Sequence, residues 1–320
     1  MGCCGVLSAR SPRPAGRALR AAGWTAAAGA AGLFYGSVVE TRWFALRRVD
    51  VAVLPVDADP IRVLHLTDLH LRPAQQAKRD WIRSLAGLRP DLVIDTGDNL
   101  AHAEAVPALL ESLGPLLDIP GVFVLGSNDY FSPSLRNPVR YLLPDDGTRH
   151  VTTTQLPWRE LKRRLSSLGW RDLTNTTGSV RIRGMDLAFT GVDDPHLEYD
   201  DLAAVAGPAD VSADLRIGVT HAPYLRVLDQ FARDGHEIIF AGHTHGGQLR
   251  LPGKGAIVTN CDLEPERARG LHRHPATSPP WQPRSSWLHV SAGLGASPYA
   301  PVRFCCRPEA TLLTLLPRAI

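Results

Sequence analysis

Five short apolar runs, spread over most of a 320-residue chain, each end in a residue able to ligate a metal ion. Residues 62–67 run into Asp68-Leu69-His70, 92–96 into Gly97-Asp98, 122–125 into Gly126-Ser127-Asn128, 217–220 into His221, and 238–241 into Gly242-His243-Thr244-His245. Such runs, closed by Gly, Asp, Asn or His, read as buried strands entering loops. In α/β folds the loops at the carboxyl ends of the strands line a common crevice, so donors far apart in sequence converge there. Seven donors would then share one site.

The donor types define the chemistry. Asp68 and Asp98, Asn128, and His70, His221, His243 and His245 form a nitrogen and oxygen set suited to manganese, iron or zinc, with no nearby cysteine for a closed thiolate site. Two divalent ions suit this set better than one. Asp98 is central in the order, follows a glycine, and has the two oxygens a bridge requires. Ions about 3.5–4 Å apart polarise a water and clamp the oxygens of an in-line displacement at phosphorus. The reaction implied is phosphoester hydrolysis, with Asp98, Asn128 and His221 as the candidates closest to the chemistry. Asn99, Asp129 and Thr244 lie beside ligands and are candidates for supporting or substrate-side hydrogen bonds.

The ordered blocks D-x-H, G-D, Asn128, a lone His221 and G-H-T-H-G-G-Q resemble the calcineurin-like metallophosphoesterases, over roughly residue 50 to the C-terminus. The G-H-T-H-G-G-Q block and the ending from Ala292 to Glu309 are similar to a bacterial, membrane-associated branch that includes a sugar-nucleotide lipid pyrophosphatase. The resemblance implies two facing mixed β-sheets flanked by helices. It places one ion on Asp68, His70 and His245, the other on Asn128, His221 and His243, and Asp98 between them. It also implies a phosphoester substrate, plausibly a phosphodiester or pyrophosphate of the cell envelope or linked to a lipid. A non-catalytic scaffold that keeps the fold is the alternative, but all seven ligand positions are filled.

One block departs from the pattern. The family has G-N-H where this chain has Gly126-Ser127-Asn128-Asp129, and that histidine is the residue associated with the leaving oxygen. Nearby cations would keep Asp129 ionised, so position 129 is expected to supply no proton. Good leaving groups would then be favoured.

The remaining features bound the molecule. With 44% hydrophobic and 21% charged residues the chain can bury one sizeable core. It divides into an Arg-rich N-terminus, 1–49, and a catalytic domain, 50–320. The net charge of +3 is small and its lysines are Lys78, Lys162 and Lys254, so nucleic acid is not expected as a specific partner. Cys3-Cys4, Cys261 and Cys305-Cys306 make no disulfide framework, and the last pair is expected as small buried residues of a C-terminal strand. Residues 21–39 carry no charge, follow Arg10, Arg13, Arg17 and Arg20, and would be about 28 Å long as a helix. An uncleaved membrane anchor is the first expectation, with an extracytoplasmic catalytic domain. Alanine and glycine dominate the segment, so a cleaved signal near Ala28-Gly29-Ala30, a transit peptide, or a segment packed on a cytoplasmic protein are alternatives.

Residues 131–158, rich in proline, leave directly from the Asn128 loop and are expected either as a lid over the metals or as a surface excursion. Leu161, Leu165 and Leu168 mark one face of a helix over 159–168. His65 is expected in the core, while His102, His150, His196, His236, His272, His274 and His289 have no partner at ligand spacing. Asp193-Asp194, after the run 187–192, is expected as a turn, with an approach to the site from another strand end as the alternative. Strands over 187–190, 287–291 and 310–315 are expected to complete the second sheet.

Overall fold

The computed structural model describes residues 14–133, 154–279, 282–296 and 298–319. Its strands are β1 (Ala45–Leu54), β2 (Ile61–Leu66), β3 (Leu92–Asp95), β4 (Gly121–Phe123), β5 (Arg171–Asp172), β6 (Thr176–Ile182), β7 (Met185–Gly191), β8 (Leu215–Val219) and β9 (Ile238–Ala241), followed by β10 (Arg250–Leu251), β11 (Gly255–Ala256), β12 (Gly270–His274), β13 (Ser286–Val290) and β14 (Glu309–Pro317). The helices are α1 (Pro14–Phe34), α2 (Gln76–Ser84), α3 (Ala105–Leu113), α4 (Ser127–Tyr130), α5 (Trp158–Ser167), α6 (Leu202–Val205) and α7 (Leu225–Asp234).

Among the described residues two six-stranded mixed sheets form, in the orders β1-β14-β2-β3-β4-β5 and β12-β13-β9-β8-β7-β6. Alternation along the strands decides which face each residue takes. Val63 of β2, Ile94 of β3 and Val122 of β4 point inward and meet Leu187, Phe189, Ile217 and Phe240 of the opposing sheet. Their neighbours Leu64, Val93 and Phe123 point outward under Ile82, Leu109 and Leu161 of α2, α3 and α5. Ile239 and Ala241 of β9 likewise point outward under Val227, Leu228 and Phe231 of α7. The result is helices, sheet, sheet and helices in layers, as expected.

His65 lies inside this sandwich, fully buried, with Nδ1 2.9 Å from Nδ1 of His289 and Nε2 3.0 Å from Thr96 Oγ1. Burial drives its pKa well below the usual imidazole range, so it is a neutral core residue. In α5, Leu161 and Leu165 are buried but Leu168 is exposed beyond the last turn.

Three expectations are corrected. The strand over 310–315 belongs to the first sheet, not the second: β14 pairs parallel with β1 and antiparallel with β2. Cys305 and Cys306 precede that strand; Cys306 is buried but Cys305 is exposed. Among the described residues, no helix is long and apolar enough to cross a membrane. The uncharged stretch is split: α1 is exposed from Arg20 to Ala31, whereas the following turns, Tyr35–Val39 and Glu40–Arg42, bury Gly36 and Glu40 against the body. The first strand then spans the expected boundary at residues 49/50. Most of the expected lid, 134–153, and Cys3-Cys4 lie outside the described residues.

Phe240 fills the space between the sheets and is fully buried. Phe240→Ala is expected to lower unfolding stability by about 3–5 kcal/mol in a denaturant titration, because a cavity in a sandwich core collapses only partly.

Candidate metal centre

The ligand loops come from both sheets. Asp68 and His70 follow β2, Asp98 follows β3 and Asn128 opens α4 after β4; His221 follows β8 and His243 and His245 follow β9. Backbone hydrogen bonds stitch the tips together: Asp68 N–H donates to Gly97 O at 2.8 Å, His70 N–H to Asp98 O at 2.9 Å, and Gly242 N–H to His221 O at 2.8 Å. Across the sandwich His243 N–H donates to Asp68 Oδ2 at 3.0 Å. A Cβ on Gly126 would stand 2.4 Å from Asp98 Oδ1, and one on Gly242 2.0 Å from Thr67 Oγ1. Only glycine lets the loops close to this distance.

The closure forces unusual backbone. Asp68, His70, Asp98, His243 and His245 all have positive φ, between 40° and 67°. Each such residue costs about 1–3 kcal/mol and persists only where the surroundings over-determine it.

Asp68, His70, Asp98 and His245 are buried with ligand atoms within 4.8 Å of one another, the one such group among the described residues. His245 Nδ1 donates to Gly295 O at 3.1 Å, which frees Nε2 to face His70 Nε2 at 3.2 Å and Asp68 Oδ1 at 3.5 Å. On the other flank of Asp98, His221 Nδ1 donates to Thr96 O at 2.7 Å and Nε2 lies 3.5 Å from Asp98 Oδ1. Asn128 closes on the same carboxylate, its backbone N–H and its Nδ2 each 2.7 Å from an Asp98 oxygen. His243 stands further off, its ring 5.2 Å from that of His221 and its Nε2 3.1 Å from Asn260 O.

These donors fit a cation. Asp68 Oδ1 and His221 Nε2, on opposite flanks of Asp98, are buried without a hydrogen-bond partner. A lone pair turned inward with no donor facing it is unfavourable in a dry site unless a metal takes that place. The buried groups also perturb one another. Burial pushes Asp68 up to about 6 and His70 down to about 4. Burial would also lower His221, but Asp98, Asp194 and Asp68 outweigh it and raise that imidazole to about 9. For Asp98, burial is overcome by His221, His70 and the Asn128 donors, which hold it below the usual carboxylate range.

The supporting candidates resolve into roles. Thr244 Oγ1 donates to Ala268 O at 2.7 Å and accepts from Gly246 N–H at 3.2 Å, fastening the His243–His245 turn. Asp129 is fully buried, with Oδ2 accepting from the backbone N–H of Asp98 at 2.9 Å and of Gly126 at 3.0 Å, and Oδ1 from that of Asn99 at 2.9 Å. Its pKa is pushed well up by burial and by Asp98. Both oxygens are turned onto backbone amides. Asn99 joins this arrangement through its main chain.

Sequence reasoning passed over several contributors. Arg303 is buried, donates to Ala292 O at 2.7 Å and also to Gly295 O, and lies 3.3 Å from His245 Nδ1. No spacing rule pointed to it. Asp194, expected as a turn, is fully buried with an unpartnered Oδ2. His196 lies with its ring 4.6 Å from that of His243. The signal for both was their position beyond the end of a predicted strand.

A family model described as calcineurin-like phosphoesterase matches residues 61–247, which spans every ligand block. The chain belongs to this family, and it is a metal-dependent phosphoesterase. It is 27% identical over 260 residues to the protein YpbG of Bacillus subtilis (strain 168), covering 78% of this chain and 83% of that one. It is 26% identical over 299 residues to the UDP-2,3-diacylglucosamine pyrophosphatase LpxG of Chlamydia trachomatis serovar D, covering 80% and 84%. With the metallophosphoesterase YkoQ of Bacillus subtilis (strain 168) the identity is 24% over 257 residues, covering 78% and 82%.

Asp129→Ala would leave buried amides of Asp98, Asn99 and Gly126 without an acceptor. At roughly 1–3 kcal/mol per unsatisfied group, thermal unfolding should show a loss of at least about 3 kcal/mol. Weaker retention of metal through dialysis should accompany it.

Proposed function

We propose that this chain is a binuclear hydrolase of a phosphodiester or pyrophosphate, with Asp98 shared between two divalent ions. The observation that carries the reading is the pair of buried, unpartnered donors, Asp68 Oδ1 and His221 Nε2, on opposite flanks of one carboxylate. Asp68, His70 and His245 would hold one ion, and Asn128, His221 and His243 the other. The nitrogen and oxygen donors suit manganese, iron or zinc. When bound, such a pair polarises the phosphoryl group and lowers the pKa of an attacking water. The protein's own share is placement: Asn128 and the α4 turn fix Asp98, Thr96 O sets the His221 tautomer, and Gly295 O sets that of His245.

The substrate we infer is lipid-linked. Support comes from the likeness to LpxG, a UDP-2,3-diacylglucosamine pyrophosphatase, over 80% of this chain. Further support comes from the N-terminal arm, where Trp24, Leu33, Phe34, Val38 and Val39 are exposed. An exposed, uncharged arm with aromatic residues suits contact with a membrane surface rather than a crossing.

Elemental analysis after manganese loading should find two ions per chain. One or none would refute the binuclear reading. Asp98→Ala should retain under a tenth of wild-type turnover on an aryl phosphodiester, a rise of more than about 1.4 kcal/mol in the barrier. Membrane fractionation should recover the full chain with membranes and release a form lacking residues 1–34. A cut after residue 45 is a poorer test, because it also removes Glu40, which accepts from the Cys305 N–H at 3.0 Å.

A further inference from the structure

β7 runs parallel to β8 with Gly191 opposite Val219, and Val192 N–H donates to Val219 O at 3.2 Å. The loop after β7 therefore leaves the sandwich beside the His221 tip. Three contacts fix that loop. Tyr130 O–H donates to Asp193, 2.8 Å from either oxygen, and thereby ties the loop to the helix that carries Asn128. His196 N–H donates to Asp194 Oδ1 at 2.9 Å, and Asp194 is fully buried. The His196 ring lies 4.6 Å from the His243 ring, inclined at 45°, with Nδ1 3.1 Å from the Tyr224 hydroxyl.

Cleavage at phosphorus puts negative charge on the departing oxygen, and a positioned N–H donor there lowers the barrier. Asp129 is unsuited to this because its oxygens serve the main chain. His70, His221, His243 and His245 are assigned to the ions. His196 is half-buried, touches the ligand set on the Asn128 and His221 flank, and is held from two directions. The Tyr224 hydroxyl can donate to Nδ1, the tautomer that puts the ring proton on Nε2 and the one this role requires.

We propose that His196 is a substrate-contacting catalytic residue, whose Nε2–H donates a hydrogen bond to the oxygen that leaves phosphorus. This role rests on the phosphoester reading above. Water oxygen bonds to phosphorus as the P–O bond to the leaving group breaks; the leaving oxygen takes the electron pair and departs as an anion hydrogen-bonded to Nε2–H, the ring keeps its proton, and the proton of the attacking water passes to solvent.

The test is a series of aryl phosphodiesters of graded phenol acidity, run with the manganese-loaded full chain as wild type, His196→Phe and His196→Gln, with metal content measured for each. Phenylalanine keeps a ring against His243 but has no donor, and glutamine restores an N–H. His196→Phe should slow the ester of the least acidic phenol at least about tenfold, and that of the most acidic phenol far less. His196→Gln should recover part of the loss, with metal content equal to wild type throughout. A uniform loss across the series would overturn the proposal. So would a loss that follows metal content, which would make His196 a support for His243. A wild type inactive on every ester while holding two ions would instead overturn the phosphoester reading, and this role with it.

Discussion

Everything in this molecule that is unusual traces to one constraint: several lone pairs must point at each other in a dry space between two sheets. His70 Nε2 and His245 Nε2 face each other at 3.2 Å, and Asp68 Oδ1 and His221 Nε2 are buried without a hydrogen-bond partner. Donors arranged in this way repel until a cation arrives, so the fold must hold them there without one. It does so with main-chain hydrogen bonds between strand tips and with close approaches that exclude any side chain at Gly126 and Gly242. Positive φ at five of the ligands is the conformational expression of the same demand. The hydrophobic sandwich behind the tips supplies the rigidity.

Asp129 shows how far that demand reaches. A carboxylate near a metal centre invites a reading as acid, base or ligand. Here it staples the Asp98, Asn99 and Gly126 amides together, so the loop of one carboxylate is positioned by a second. At this position the chain carries a side chain that rigidifies the turn.

The strands and the loops that gather the candidate ligands were legible in the sequence because both obey local rules. Buried strands show as apolar runs, and a ligand at the end of a run shows as a polar residue where the run stops. What stayed hidden depends on contacts across the chain. Residues 310–315 read as a strand, but nothing local says that β14 slots between β1 and β2. No local rule marks Arg303, and its burial among the carbonyls of Ala292, Gly293 and Gly295 is a tertiary fact. His196 has no ligand spacing because it meets His243 in space rather than along the chain. The N-terminal stretch 21–39 read as one element because charge and composition do not show where it meets the body. Its second half is governed instead by Gly36, where an added Cβ would come within 2.8 Å of Arg303 O.

That junction has a mechanical meaning. Glu40, buried in the turn after α1, accepts from the backbone N–H groups of Cys305 and Cys306, and Cys306 Sγ lies 3.2 Å from His245 O. Gly36 O accepts from Arg303 N–H at 3.0 Å, and the Arg303 guanidinium reaches the His245 ring. A pull along α1 enters the body at this point, and its short path through the fold ends on a residue expected to hold metal. The arm is thus a lever with its fulcrum at Gly36, and whatever it rests on sets the load that the catalytic centre bears.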